Sequence, residues 1–238
     1  MNFKFGFKLI LTLLAALFSS FSFAQVNTNT ANPTQSQTQF LVSWKAINYV
    51  PADYLGKIFP SQGTPIEVSF DLVDKNKIID LSKYQIYWNL DNSPLTSGLN
   101  LKSVQFKATQ YGGNSHSLRI TVANYNNDNL DYIIDIPTSL PESVIDTRSN
   151  QGTFSLGNYL LRIRPFFFNV TSLQNLTFDW LVNSKPAEGV KDNPSFLGLN
   201  LESPGKQTQQ TQLIISADVK NFFNQLETAS KIMILNVK

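Results

Sequence analysis

Two stretches decide the fold: Tyr84-Gln-Ile-Tyr-Trp-Asn-Leu-Asp-Asn-Ser-Pro94 and Leu176-Thr-Phe-Asp-Trp-Leu-Val-Asn-Ser-Lys-Pro186. In the first, Tyr84, Ile86, Trp88 and Leu90 alternate with Gln85, Tyr87 and Asn89, the pattern of a strand with one buried and one wet face. In the second, Leu176, Phe178, Trp180 and Val182 do the same. Both place Trp fifth, then a polar turn around Asn-Ser, then Pro six residues after the Trp. Trp88 and Trp180 stand 92 residues apart, and Leu118 and Leu213 stand 95 apart. A repeat of that length is a whole small domain rather than one unit of a solenoid.

Working outward, the same alternation appears in Ile66-Val68-Phe70-Leu72, in Leu118-Ile120-Val122, in Leu161-Ile163, in Leu213-Ile215-Ala217 and in the closing run Ile232 to Val237. Helical periodicity is nearly absent. The exception is Asn221 to Ala229, where Phe222, Phe223 and Leu226 predict one or two helical turns. Some seven short strands and one inward Trp per 100 residues predict an all-β chain of two tandem immunoglobulin-like (PKD-like) β-sandwiches. The expected spans are 40–138 and 139–238. Pro137 and Pro141 bracket a short connector, Leu140-Pro-Glu-Ser143 is read as its turn, and few contacts are expected to cross it. The chain has no Cys, so its stability must come from burial rather than disulfides.

The N-terminus reads as an export signal over residues 1–24. Lys4 and Lys8 precede an apolar core, Leu9 to Phe18, and Ser22-Phe23-Ala24 supplies small residues for cleavage. The alternative is retention as an uncleaved anchor. Residues 25–39, QVNTNTANPTQSQTQ, are too polar to offset the entropy of ordering and read as a disordered linker. Beyond the signal no transmembrane anchor is expected in the mature chain. The expected location is extracellular or in the cell envelope.

Of 238 residues only 15% are charged, against about 25% in an average protein. Asn alone contributes 24 residues. Removing Lys4 and Lys8 lowers the basic count from 19 to 17, equal to the 17 acids. Such a chain is not a charge-driven nucleic-acid binder, a coiled coil or a polybasic membrane binder.

Three stretches carry a family resemblance. They are Tyr49-Val-Pro-Ala-Asp-Tyr-Leu-Gly-Lys-Ile-Phe-Pro60, the two W-x₅-P repeats, and Val219-Lys-Asn-Phe-Phe-Asn-Gln-Leu-Glu-Thr-Ala229. The chain resembles exported tandem Ig-like or PKD-like proteins of the Patescibacteria (the candidate phyla radiation). The resemblance implies the fold and the compartment. It implies no chemistry.

Catalytic patterns are sparse. The one histidine, His116, falls in Gly112-Gly-Asn-Ser-His116 and is expected in a surface turn, which leaves a Ser-His-Asp triad without a base. Ser203-Pro-Gly-Lys206 has the letters of a Ser-x-x-Lys dyad, but Pro-Gly forbids the helical turn that dyad needs. Asp146-Thr147-Arg148 lacks the Gly of an aspartic-protease loop. Asn124 to Asp131 is rich in oxygen ligands. It reads as a polar hairpin turn or, without the usual Gly at the bend, as a calcium loop. The sequons at Asn169 and Asn175 are read as chance. No cofactor, metal site or catalytic residue is assigned.

Aromatic residues are the remaining signal. Tyr49, Tyr54 and Phe59 lie in a Pro-bounded loop, and Tyr87 points outward if Trp88 points inward. They are the candidate contacts for a ligand or partner, unless the 49–60 loop folds back over its own domain. The leading expectation is a non-enzymatic spacer and protein-interaction or adhesion module, with another envelope or surface protein as partner. The alternative is a carbohydrate-binding module using these rings on a glycan. A third reading, a hydrolase with a carboxylate pair, has no pair that the sequence singles out. The final strand, Lys231 to Val237, has no Pro and no charge after Lys231. It is expected to lie inside its sheet or to be covered at an open edge.

Overall fold

A computed structural model describes residues 38–147, 153–202 and 211–237. Residues 1–24, which sequence reads as an export signal, most of the 25–39 stretch, Arg148 and residues 203–206 lie outside the described residues. Among the described residues there is no α-helix, only a single 3-10 turn at Leu173–Asn175. Among the described residues no helix is long and apolar enough to cross a membrane.

The first sandwich is built from β1 (Gln39–Ala46), β2 (Pro65–Asp74), β3 (Lys77–Ile78), β4 (Gln85–Leu90), β5 (Ser93–Leu99), β6 (Ser103–Lys107), β7 (Ser115–Tyr125) and β8 (Asp128–Pro137). One sheet has β2 at its centre, with β1 along one side and β6 and β3 along the other. The second sheet runs β5-β4-β7-β8, all antiparallel. The next eight strands repeat the plan. They are β9 (Glu142–Asp146), β10 (Thr153–Phe154), β11 (Gly157–Phe166), β12 (Leu176–Val182), β13 (Lys185–Ala187), β14 (Phe196–Leu201), β15 (Thr211–Asn221) and β16 (Thr228–Val237). One sheet is β14-β11-β9 and the other β10-β16-β15-β12-β13. In both sandwiches the strand that directly follows the Trp strand, β5 after β4 and the short β13 after β12, pairs with that Trp strand, whereas in antibody constant domains the corresponding strand joins the first sheet. Both are immunoglobulin-like sandwiches of the fibronectin-III-like variant.

Each sandwich has its own core, and Trp88 and Trp180 anchor them, both almost fully buried on inner strands. Each indole N–H donates to a carbonyl in the following connection, Trp88 to Leu101 at 2.8 Å and Trp180 to Pro194 at 2.9 Å. A buried indole needs that acceptor, so the polar tip is satisfied while the ring fills the core. The repeat extends to the turns. Asp91-Asn92 and Asn183-Ser184 both take positive φ at their two central positions, the I′ geometry that matches strand twist. Lys75-Asn76 and Asn126-Asn127 do the same, which makes the Asn/Asp-rich 124–131 stretch a hairpin turn as read from sequence.

Three expectations change. Across each Trp strand, Leu90 pairs with Leu118 and Val182 pairs with Ile215. The counterpart of Leu118 is therefore Ile215, with Leu213 two residues earlier on the same face. The stretch 221–229 is not helical but the turn of the β15–β16 hairpin. Asn221 Oδ1 accepts from Phe223 N–H at 2.9 Å and Asn224 O accepts from Glu227 N–H at 2.9 Å, so local turns win over a helix. His116 is not in a surface turn. It is completely buried on β7, because the inward alternation of Leu118 and Ile120 reaches back to it.

The final strand, β16, pairs with β15 along its whole length. On its other side it pairs, among the described residues, only with Thr153 and Phe154 at Asn236 and Val237. Lys231, opposite buried Ala217, puts a charge on the inner face of that edge, which discourages pairing by a further strand.

Candidate functional site

The loop between β1 and β2, residues 47–64, carries three of the four candidate aromatics. It does not fold over its own sandwich alone. Tyr49 N–H donates to Phe168 O and Phe167 N–H donates to Tyr49 O, both at 2.8 Å, which makes a short antiparallel bridge onto the second sandwich. The Tyr49 side chain packs against the second core. Burial raises its phenol pKa against the opposing pull of Arg162 and Arg164. Arg164 forms an ion pair with Asp53 of the same loop. The expectation of few contacts across the connector is therefore corrected: the loop is a strap onto the neighbouring sandwich.

A buried carboxylate seals the junction. Glu227, 7% exposed, accepts from Ser61 Oγ at 3.0 Å, from Asn169 N–H at 2.6 Å and from Asn221 Nδ2 at 2.5 Å. Ser61 comes from the first sandwich and the other two from the second. The turn that aims Ser61 has Gly63 at φ +85°. A Cβ there would also lie 2.8 Å from the Asn169 side chain, so the close approach requires glycine.

Beside this seam lies a cleft of about 610 Å³. Tyr54 and Phe59 come from the strap, Phe166 and Phe167 from the end of β11, and Glu142 and Val144 from β9. The rings meet at steep angles: 67° for Tyr54–Phe166, 82° for Tyr54–Phe167 and 73° for Phe59–Phe167. Phe167 takes φ +62°, a backbone state that costs a bulky residue about 1–3 kcal/mol and that the bridge to Tyr49 holds in place. Tyr54 lies across Gly56, where a Cβ would sit 2.5 Å from its hydroxyl, and it donates to Lys57 O at 3.1 Å. On the far side of the strap, Lys57 Nζ stands 3.7 Å over the Trp44 ring, and burial lowers its pKa.

The four candidate contacts thus separate. Tyr54 and Phe59 line the cleft, Tyr49 is half-buried behind it, and Tyr87 stands 44% exposed on the β4 face of the first sandwich. Sequence reasoning missed Phe166 and Phe167. The signal was present: in Pro165-Phe-Phe-Phe168 alternation cannot turn all three rings into one core. It also missed the exposure of Phe222, Phe223 and Leu226, which stand 66%, 75% and 92% exposed in the β15–β16 turn, beside Glu227 in sequence.

His116 has no free nitrogen for catalysis. Its Nδ1 lies 2.7 Å from Asp91 Oδ2, and its Nε2 accepts from the Thr109 N–H at 3.0 Å. These partners assign the ring proton to Nδ1. Burial works to raise the pKa of Asp91, but the Ser117 N–H and the His116 ring outweigh it and hold the carboxyl below the usual range.

No family model matches the chain. No curated protein matches it either. Among solved structures, it is similar to the three N-terminal domains of the bacteriophage RB49 Highly Immunogenic Outer Capsid protein, with 11% identity and a TM-score of 0.44. That likeness covers 84% of this chain and 59% of that one, so the chain spans under two thirds of its length. The fibronectin(III)-like modules of Clostridium thermocellum CbhA align at 9% identity and a TM-score of 0.30, over 83% of this chain and 93% of theirs. The N-terminal Ig1-2 module of Drosophila Receptor Protein Tyrosine Phosphatase DLAR aligns at 12% and 0.26, over 84% and 98%. At such values the strand order, not the likeness, carries the fold assignment.

Proposed function

We propose that the chain is an exported, non-enzymatic protein of the cell envelope or the secreted fraction. Its two sandwiches act as a spacer and as a protein-interaction or adhesion module. The observation that carries this reading is the β15–β16 turn, which holds two phenylalanines and a leucine out in solvent at the end of a stiff hairpin. Large apolar side chains on a loop fixed by a rigid scaffold suit contact with another protein. The non-enzymatic part is supported by the full commitment of His116 and Glu227 to structural hydrogen bonds. The apolar N-terminal segment and the resemblance to exported Patescibacterial proteins support export.

Glycan binding has weaker support, because sugars stack on flat exposed ring faces and the cleft rings stand edge to face. The test is a pull-down from surface extracts of the source cells, using the full chain. A saturable protein partner that is lost in Phe222→Ser/Phe223→Ser is expected. Retention of every partner by that variant, or saturable binding on a glycan array in place of any protein partner, would refute the reading.

A further inference from the structure

The junction cleft is a second site, separate from the β15–β16 turn. It combines three properties. Its walls are aromatic and aliphatic: Tyr54, Phe59, Phe166, Phe167 and Val144. Its volume of about 610 Å³ falls in the range of small-ligand and side-chain pockets. Its one charged lining group is Glu142, exposed, with no ion pair among the described residues. Arg164, whose guanidinium stands 5.8 Å from the centre of the Phe166 ring, is paired with Asp53. A strained Phe167 backbone at its wall also marks the place, since such strain clusters at functional sites and persists only where the surroundings hold it.

We propose that this cleft binds a peptide segment of a partner protein that presents a lysine or arginine between apolar residues. The apolar stem of the basic side chain would lie along the rings, with the cation facing both their π-electrons and the Glu142 carboxylate. Charge complementarity selects this occupant. An acidic segment would meet Glu142, while Arg164, the cation over Phe166, is already paired with Asp53; a neutral apolar segment would leave the carboxylate beside a desolvated contact. The steep ring angles disfavour a flat sugar. The inference adds a site to the interaction reading and does not depend on the β15–β16 turn.

The test is a positional-scanning peptide array probed with the full chain and with Glu142→Gln and Glu142→Lys, both at an exposed position. Bound peptides should be enriched in Lys or Arg flanked by Leu, Ile or Phe. Glu142→Gln should weaken the best of them by about three- to fivefold, as for an exposed ion pair. Glu142→Lys should reverse the preference toward acidic peptides, and the wild-type preference should fade as salt rises. An array with no bound peptide, enrichment without basic residues, or a preference unchanged in Glu142→Lys would overturn the proposal. Glycan binding lost on Tyr54→Ala would overturn it too. A pull-down partner that depends on Phe222 and Phe223 but not on Glu142 would sink the cleft while leaving the interaction reading intact. The converse result would separate the two in the other direction.

Discussion

Replacing Glu227 with Ala tests the seam most sharply. The carboxylate is buried and takes hydrogen bonds from three donors. Ser61 Oγ retains Thr64 Oγ1 at 3.1 Å as an alternative partner, so it is not stranded. The Asn169 N–H and the Asn221 amide lose the carboxylate, and the contact left to the amide, Asn169 O at 3.5 Å, is long. A buried donor left without its partner costs about 1–3 kcal/mol. Two of them, not fully additive, give about 4 kcal/mol, a large share of a typical domain's stability of about 5–15 kcal/mol. The loss should fall first on the second sandwich, because Asn169 and Asn221 both belong to it. Ser61→Ala removes only the bond across the seam and should cost about 1–2 kcal/mol, felt in the coupling of the sandwiches. Native-state hydrogen exchange resolves the two bodies in one intact chain, reading β15 for the second and β7 for the first. If Glu227→Ala changes protection in β15 by under about 1 kcal/mol, or lowers β7 more than β15, the role given to this carboxylate is wrong.

Other predictions follow from the same geometry. Trp180→Ala should destabilise the second sandwich by about 3–5 kcal/mol in urea unfolding, and Trp88→Ala the first by a similar amount. Asn76→Gly, at φ +61° in an I′ turn, should be neutral to stabilising by up to about 1 kcal/mol, whereas Asn76→Val should destabilise. Asp91 has its carboxyl pKa held below the unfolded value, so its contribution is present above about pH 4 and is lost as pH falls through the lower folded value. Asp91→Asn should therefore flatten the acid limb of a stability–pH curve.

The alternation around Trp88 and Trp180 was legible because each strand has one dry face, and a period of two is a local signal. The paired indole hydrogen bonds to Leu101 and Pro194 were not, since nothing local says which carbonyl a Trp will reach. His116 was misread because the glycines before it suggested a turn, although its even spacing from Leu118 already placed it on the inner face. Phe222, Phe223 and Leu226 imitate one helical face, but Asn221 and Asn224 form local side-chain turns that compete with a helix. The candidate site was half legible. The strap contributes Tyr54 and Phe59, which sequence singled out. Phe166, Phe167 and Glu142 come from strands more than 80 residues further along, and only the junction brings them together.

The cleft exists in solution only if the sandwiches keep one fixed relation, so the most direct measurement is of backbone residual dipolar couplings on the intact chain. The account predicts that couplings from the strands β1–β8 and from the strands β9–β16 fit a single alignment tensor. Two tensors of different magnitude or orientation would show the sandwiches moving independently, and would contradict both the sealed seam and the site beside it.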